Sequence, residues 1–369
     1  MITEFYEKLA KLAVNFSVGV KKGQRVAVIG PTLAEELFQA IYVEILKAGG
    51  NPMIFPTIEG AQELLYKYGS EEQLEYVDDV RTAIVRDFDC LINIFADYNP
   101  KKLSLVDPKK VAKSRGSPGN QKFMKIYMER YGKGELNWVI IPFPCNAFAQ
   151  EANMDLFSYS DFVKRALLLD KEDPVKEWNE IKKKQEKLVE ILNGVDKIQV
   201  LGEDTDLTLS VKGRKWVNCC GQVNLPDGEV FTSPIEDSVN GCIKFTYPGI
   251  YGGREVENIY LEFKDGKVTK ATADKAEDLL HELIALENAD ILGEFAIGTN
   301  YGITEFTKNM LFDEKIGGTL HCAIGRGPPE TGSTNKCAIH WDILKDMTLP
   351  GSKVIADGNV IYEEGKWKI

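Results

Sequence analysis

The sequence predicts two domains: an α/β N-terminal domain with a parallel sheet flanked by helices, then an α+β C-terminal domain with a mostly antiparallel sheet. Two observations predict this. Up to residue 190, short Val- and Ile-rich runs alternate with helical patterns, the arrangement of a parallel sheet covered on both faces. After Gly194 the pattern changes to short alternating segments split by Gly, Asp and Pro turns, with one clear helical segment at 275–286. The expected division is 1–190, Rossmann-like but without a nucleotide motif, and 191–369, an α+β domain carrying the chemistry.

The elements follow in order. "QRVAVIG" (24–30) is an apolar run typical of a buried strand, and "TLAEELFQAIYVEILKAGG" (32–50) is a helix opened by a Thr N-cap with Glu35 three residues on. "NPMIFP" is a second strand, "EEQLEYVDDVRTAIVRDF" a helix, and "CLINIF" (90–95) a third strand. A helix around "QKFMKIYMERYG" leads to a fourth strand, "NWVIIPF" (137–143). "SDFVKRALLLD" and "DPVKEWNEIKKKQEKLVEILNG" are helices, the second opened by Asp-Pro. "KIQVLG", "TDLTLSVKG", "CIKFTYPG", "VENIYLEF" and "KVTKATAD" are the short strands of the second domain. "GPTLAEEL" after the first strand lacks the G-x-G-x-x-G spacing, and no P-loop is present, so nucleotide binding is not expected.

The bulk composition excludes several classes. A formal net charge of -11 disfavours nucleic acid, whose phosphates need clustered Lys and Arg, and anionic membrane surfaces as well. No window is apolar enough for a spanning helix, and the N-terminus reads as an amphipathic helix rather than a signal peptide. The 7 cysteines are odd in number and form no CxxC pair, which fits reduced thiols and a cytoplasmic location.

The chemistry concentrates in "HCAIGRGPPETGSTNKCAIHWD" (321–342), which holds two of only 3 histidines. "CAIHWDIL" is β-compatible, and on a strand residues two apart share a face. His340 and Asp342 therefore converge about 6.8 Å apart along the strand, with Trp341 opposite. His321 follows "DEKIGG", whose glycines allow a close backbone approach. His281, within 275–286, reads as a partly exposed helix residue. Two histidines and an aspartate are too few ligands for a two-metal site, so glutamates must complete it. Glu229 in "NLPDGEVFTSP" and Glu294 in "ILGEFAIGTN" sit among apolar residues and glycines, unusual company for a carboxylate that is neither paired nor bound to metal.

"TDLTLSVKGRKW", "NLPDGEVFTSPIEDSVNG", "LGEFAIGTN", "LFDEKIGGTLHCAIG" and "AIHWDILKDM", in this order, resemble the thermophilic-type metalloaminopeptidases of the aminopeptidase T, S and PepS group. The resemblance runs the whole chain. It implies a cytoplasmic homodimer releasing N-terminal residues from small peptides through a two-metal-activated water. The implied ligands are Glu229, Glu294, His321, His340 and Asp342 for two divalent ions, with Zn, Co and Mn equally compatible. By chemistry alone, Glu294 or Glu314 is the candidate to take the proton of the water, and Lys315 is available to an oxyanion or to a neighbouring acid. One position departs from the family: a tyrosine usually stands seven residues after the first metal histidine, and here that position is Pro328. Arg326 and Tyr301 are the nearby substitutes. This departure leaves open a metallohydrolase acting on another amide or ester, or a non-catalytic metal- or peptide-binding relative.

Overall fold

The structure, a computed structural model, describes residues 3–369. The chain forms two compact units. One runs to Glu177 and adds Gly221–Pro226; the other comprises Trp178–Cys220 and Asp227–Ile369. The division thus falls inside the helix Pro174–Leu192, whereas the change in composition placed it after residue 190.

In the first unit, β1 (Arg25–Pro31), β2 (Asn51–Thr57), β3 (Cys90–Phe95) and β4 (Asn137–Pro142) form a parallel sheet in the order β2-β1-β3-β4. Alternation along β1 sends Val26 and Val28 to one side and Ala27 to the other, and all three are fully buried. Ala27 and Leu91 pack with Ile84, Val85, Phe123 and Tyr127 from the helices Asp79–Asp87 and Pro118–Gly132. Leu9, Leu12, Leu37 and Ile41, on the helices Glu4–Leu12 and Glu35–Lys47, are fully buried too, each worth about 1.5–3 kcal/mol of transfer free energy.

Two local expectations differ from the structure. Thr32 opens a short 3-10 turn and caps nothing with its side chain, so the α-helix starts at Glu35. The single helix expected over 71–88 is two, Glu71–Glu75 and Asp79–Asp87. Asp78 leaves helical geometry between them because its carboxylate accepts a 2.7 Å hydrogen bond from Arg81 N–H, starting a new helix.

The second unit begins with β5 (Lys197–Gly202), β6 (Thr205–Ser210), β7 (Val217–Cys219), β8 (Glu229–Thr232), β9 (Asn240–Lys244), β10 (Gly249–Tyr251) and β11 (Arg254–Val256). It continues with β12 (Tyr260–Lys264), β13 (Lys267–Thr272), β14 (Leu292–Gly298), β15 (Thr319–Gly325), β16 (His340–Asp346), β17 (Lys353–Ala356), β18 (Asn359–Glu363) and β19 (Lys366–Trp367). An eight-stranded sheet has the order β13-β12-β9-β6-β5-β17-β18-β19, and a five-stranded one β16-β15-β14-β8-β7. All four pairings within the smaller sheet are antiparallel.

The smaller sheet has two unlike faces. Val230, Phe295, Ile297, Leu320, Cys322, Ile324, Trp341 and Ile343 point into the large apolar core. The alternate positions are Glu229 on β8, Glu294 and Ala296 on β14, His321 and Ala323 on β15, and His340 and Asp342 on β16. A β-bulge at Gly293 makes this possible. Leu292 pairs with Ile324 and Glu294 with Ala323, so one residue is left over and the facing switches. Leu292 therefore enters the core although it is two residues from Glu294. A side chain at Gly293 would put its Cβ 2.3 Å from Gly325 O, inside contact distance with backbone. Gly293→Ala is expected to destabilise the protein by about 1–3 kcal/mol through this clash, read as a lower urea midpoint; an unchanged midpoint would show that the bulge yields freely.

Candidate metal centre

Register, more than sequence proximity, assembles the site. Glu229 stands opposite Gly298, His321 opposite Ala296, His340 opposite Gly325, and Glu294 and Asp342 flank Ala323 from either side. Each of the five polar side chains thus has a Gly or Ala as a cross-strand neighbour, which leaves the space above the sheet free for them to converge. Gly298 has a second constraint, since a Cβ there would lie 2.1 Å from Ile316 O.

The side chains do converge. Nε2 of His321 lies 3.2 Å from Glu294 Oε1 and 3.4 Å from Glu229 Oε2. Nε2 of His340 lies 3.3 Å from Asp342 Oδ1 and 3.7 Å from Glu294 Oε2. Glu294 therefore offers one oxygen to each imidazole. His340 is oriented from behind: its Nδ1–H donates to the Arg326 carbonyl at 2.7 Å, which turns Nε2 inward. His321 and Glu294 are 0% and 6% exposed.

The ionisation of these groups is strongly shifted. Burial works against charge on His321, but the hydrogen bond to Glu294 and the charges of Glu229 and Asp342 outweigh it and push the imidazole up to about 9. His340, likewise buried, is raised to about 10 by Asp342 and Glu294. Burial also opposes ionisation of Asp342, yet His340 and His321 hold its carboxyl well below the usual range. Glu294 and Glu314 are pushed up, chiefly by burial.

Whether the residues fit a metal ion can be tested on the polar atoms left over. Glu229 Oε2, His321 Nδ1 and Asp342 Oδ1 are buried and take no hydrogen bond. Orphaned donors and acceptors of this kind are expensive in a protein interior unless an ion or another group completes them. Ligand atoms of Glu294, His340 and Asp342 lie within 4.8 Å of one another, as do those of Glu314, His321 and Asp342, so Asp342 belongs to both groups. The donor set of imidazoles and carboxylates suits a divalent cation.

Uptake of such an ion must displace protons. Both histidines are cationic below about 9, so metal binding at neutral pH is expected to release about two protons or more. Affinity should rise with pH and level off once both imidazoles are neutral, near 10. Calorimetric titrations in buffers of different ionisation enthalpy check this; uptake without proton release at pH 7 would contradict it.

The other singled-out residues are placed as follows. Glu314 is in contact with Lys315, and Lys315 also lies 3.2 Å from Glu229 Oε1, so the lysine is committed to acids and is not free for an oxyanion. Pro328 starts a 3-10 turn and its carbonyl accepts from Thr331 Oγ1 at 2.6 Å, giving no side-chain donor at that position. Tyr301 is 55% exposed and donates to Gly365 O at 2.8 Å, and Arg326 supplies only its carbonyl, so neither replaces a tyrosine. His281 lies exposed on the helix Glu277–Ile284. Two residues not singled out from sequence stand beside Glu229: Cys219, its cross-strand partner, and Asp227. "PDGE" carries a faint signal for Asp227, two residues before Glu229; for Cys219 there is none.

The chain resembles known proteins along its whole length. The family Thermophilic metalloprotease (M29) matches residues 3–367. The chain belongs to this family. As an M29 protein it is a metal-dependent peptide hydrolase, and the M29 match spans both units. Aminopeptidase 2 of Geobacillus stearothermophilus is 25% identical, over 98% of this chain and 97% of its own. Aminopeptidase AmpS of Bacillus subtilis (strain 168) is 27% identical, over 98% and 99%. The structure of wild-type AmpT from Thermus thermophilus superposes with a TM-score of 0.85 at 22% identity, covering 100% of both chains, which shows a shared fold. That fold is the one expected of this M29 chain from its sequence: a parallel sheet with helices, then antiparallel sheets. No helix among the described residues is long and apolar enough to cross a membrane.

Proposed function

We propose that this M29 protein is an aminopeptidase that cleaves the first residue from small peptides, using two divalent ions held by Glu229, Glu294, His321, His340 and Asp342. The observation that carries the reading is the position of Glu294, with one oxygen toward each histidine and Asp342 beside it, an arrangement suited to two ions sharing carboxylates. Charge supports a pair. Asp227, Glu229, Glu294, Glu314 and Asp342 are five acids gathered with a single buried ammonium, Lys315, and two divalent cations balance the remainder. Zn, Co and Mn all suit these ligands.

When bound, the ions lower the pKa of water and polarise the scissile carbonyl. The chain's own residues do the rest. His340 is held in one tautomer by the Arg326 carbonyl, and the sheet fixes the spacing of the acids. Burial pushes the Glu314 carboxyl up, and its place beside His321 and Asp342 makes it the better candidate base, since Glu294 is engaged by both histidines. The protein acts as a cytoplasmic homodimer in this reading.

An aminoacyl-anilide with a free amine should be hydrolysed, its N-blocked counterpart should not, and exhaustive EDTA should abolish turnover until Zn, Co or Mn is restored. Equal hydrolysis of blocked and free substrates would point instead to a general amidase. Turnover that survives EDTA would refute the metal reading.

A further inference from the structure

Lys315 is fully buried, at 0% exposure, and its ammonium is shared between two acids. Nζ lies 3.2 Å from Glu229 Oε1 and in contact with Glu314 Oε1. The second oxygen of Glu229, Oε2, faces His321 Nε2 at 3.4 Å and takes no hydrogen bond. The lysine thus divides the Glu229 carboxylate, keeping one oxygen and leaving the other toward the histidine. Glu314, gripped by the same ammonium, has a ligand atom within 4.8 Å of those of His321 and Asp342.

We propose that Lys315 is a positioning residue of the metal centre: a permanent cation that presents Glu229 through one oxygen only and sets Glu314 beside His321 and Asp342. The inference rests on the metal-centre reading above. It also accounts for the acids around Cys219. Ligand atoms of Cys219, Asp227 and Glu229 lie within 4.8 Å of one another, as a metal site would require, yet Lys315 already serves them as cation.

Charge and positioning predict opposite outcomes when the ammonium is removed, which makes the test decisive. Coulomb repulsion between an ammonium and a nearby divalent ion means that Lys315→Met should bind metal more tightly if charge were all that mattered. If Lys315 positions the ligand, affinity should instead fall, by about 10–100-fold as for other partners that orient metal ligands. The experiment titrates metal-free protein with Co2+ alone against a chromophoric chelator, and follows kcat and KM on an aminoacyl-anilide in parallel. The expected result is a Co2+ dissociation constant raised about 10–100-fold and a reduced kcat, with KM within about threefold of wild type. Lys315→Arg, which keeps a cation in reach of both acids, should recover most of the Co2+ affinity. Binding by Lys315→Met as tight as wild type, or tighter, overturns the proposal.

Should Lys315→Met fail to fold, Lys315→Gln removes the charge while keeping a polar side chain. Its Co2+ dissociation constant should rise about tenfold or more, and binding as tight as wild type overturns the proposal. Wild-type protein that takes up no Co2+ would instead overturn the metal-centre reading itself.

Discussion

Glu294→Gln is expected to lower kcat/KM by about a thousandfold or more, since removing several kcal/mol of metal-dependent stabilisation corresponds to that factor. The substitution preserves shape and removes one charge at the point where both histidines meet, 3.2 Å from His321 and 3.7 Å from His340. Stability should not follow activity. Burial raises the Glu294 carboxyl while its contacts with His321 and His340 favour the charged form, so in the metal-free protein the neutral amide should change stability far less than it changes activity. Kinetics on an aminoacyl-anilide, metal content by elemental analysis and a melting curve of the metal-free variant separate the two effects. A variant that keeps a tenth of wild-type kcat/KM would remove Glu294 from the centre.

Ala323→Leu is expected to be almost as damaging, for a different reason. Ala323 is the residue flanked by Glu294 on one strand and Asp342 on the other, and its small side chain keeps the space between them open. Three further carbons there must rise into the gap where the ions would sit. Metal affinity should drop by about 100-fold or more, while overpacking costs about 1–3 kcal/mol of stability. Equilibrium dialysis with Zn2+ and a urea unfolding curve measure the two quantities. A variant that binds Zn2+ like wild type would show that the small residues facing the ligands are incidental.

The grouping of the candidate residues was partly legible in the sequence because the signals were local. The spacing of His340 and Asp342 implies a shared face on any strand, and in the structure they lie 3.3 Å apart. Glu229 and Glu294 stood out as acids in apolar surroundings, and both prove buried. The parallel and antiparallel halves were legible from the spacing of apolar runs. What escaped was non-local or broke the period. By simple alternation Leu292 and Glu294 share a face; the bulge at Gly293 separates them, and nothing in "ILGEF" distinguishes a bulged glycine from an ordinary strand glycine. The Gly or Ala opposite each candidate ligand depends on register between strands far apart in sequence. The commitment of Lys315 to Glu229 depends on a contact across the sheet, which no window of residues reveals. The break at Asp78 was missed because one capping carboxylate outweighed an otherwise continuous helical pattern.

The short return of the chain at Gly221–Pro226 bears on how the protein is made. Val223 O and Leu225 N–H hydrogen-bond to Ile140, the latter residue lying on β4, so the first unit is extended at its sheet edge by residues that follow the opening strands of the second. Domains generally fold as units while the ribosome still extends the chain. Here the N-terminal half cannot be finished when residue 177 has emerged. It must wait with an open sheet edge until Pro226 is outside the tunnel, by which time Cys219 has emerged and Glu229, its partner across β7 and β8, is about to follow. Completion of the first unit and the start of the five-stranded sheet are therefore set to the same stage of synthesis.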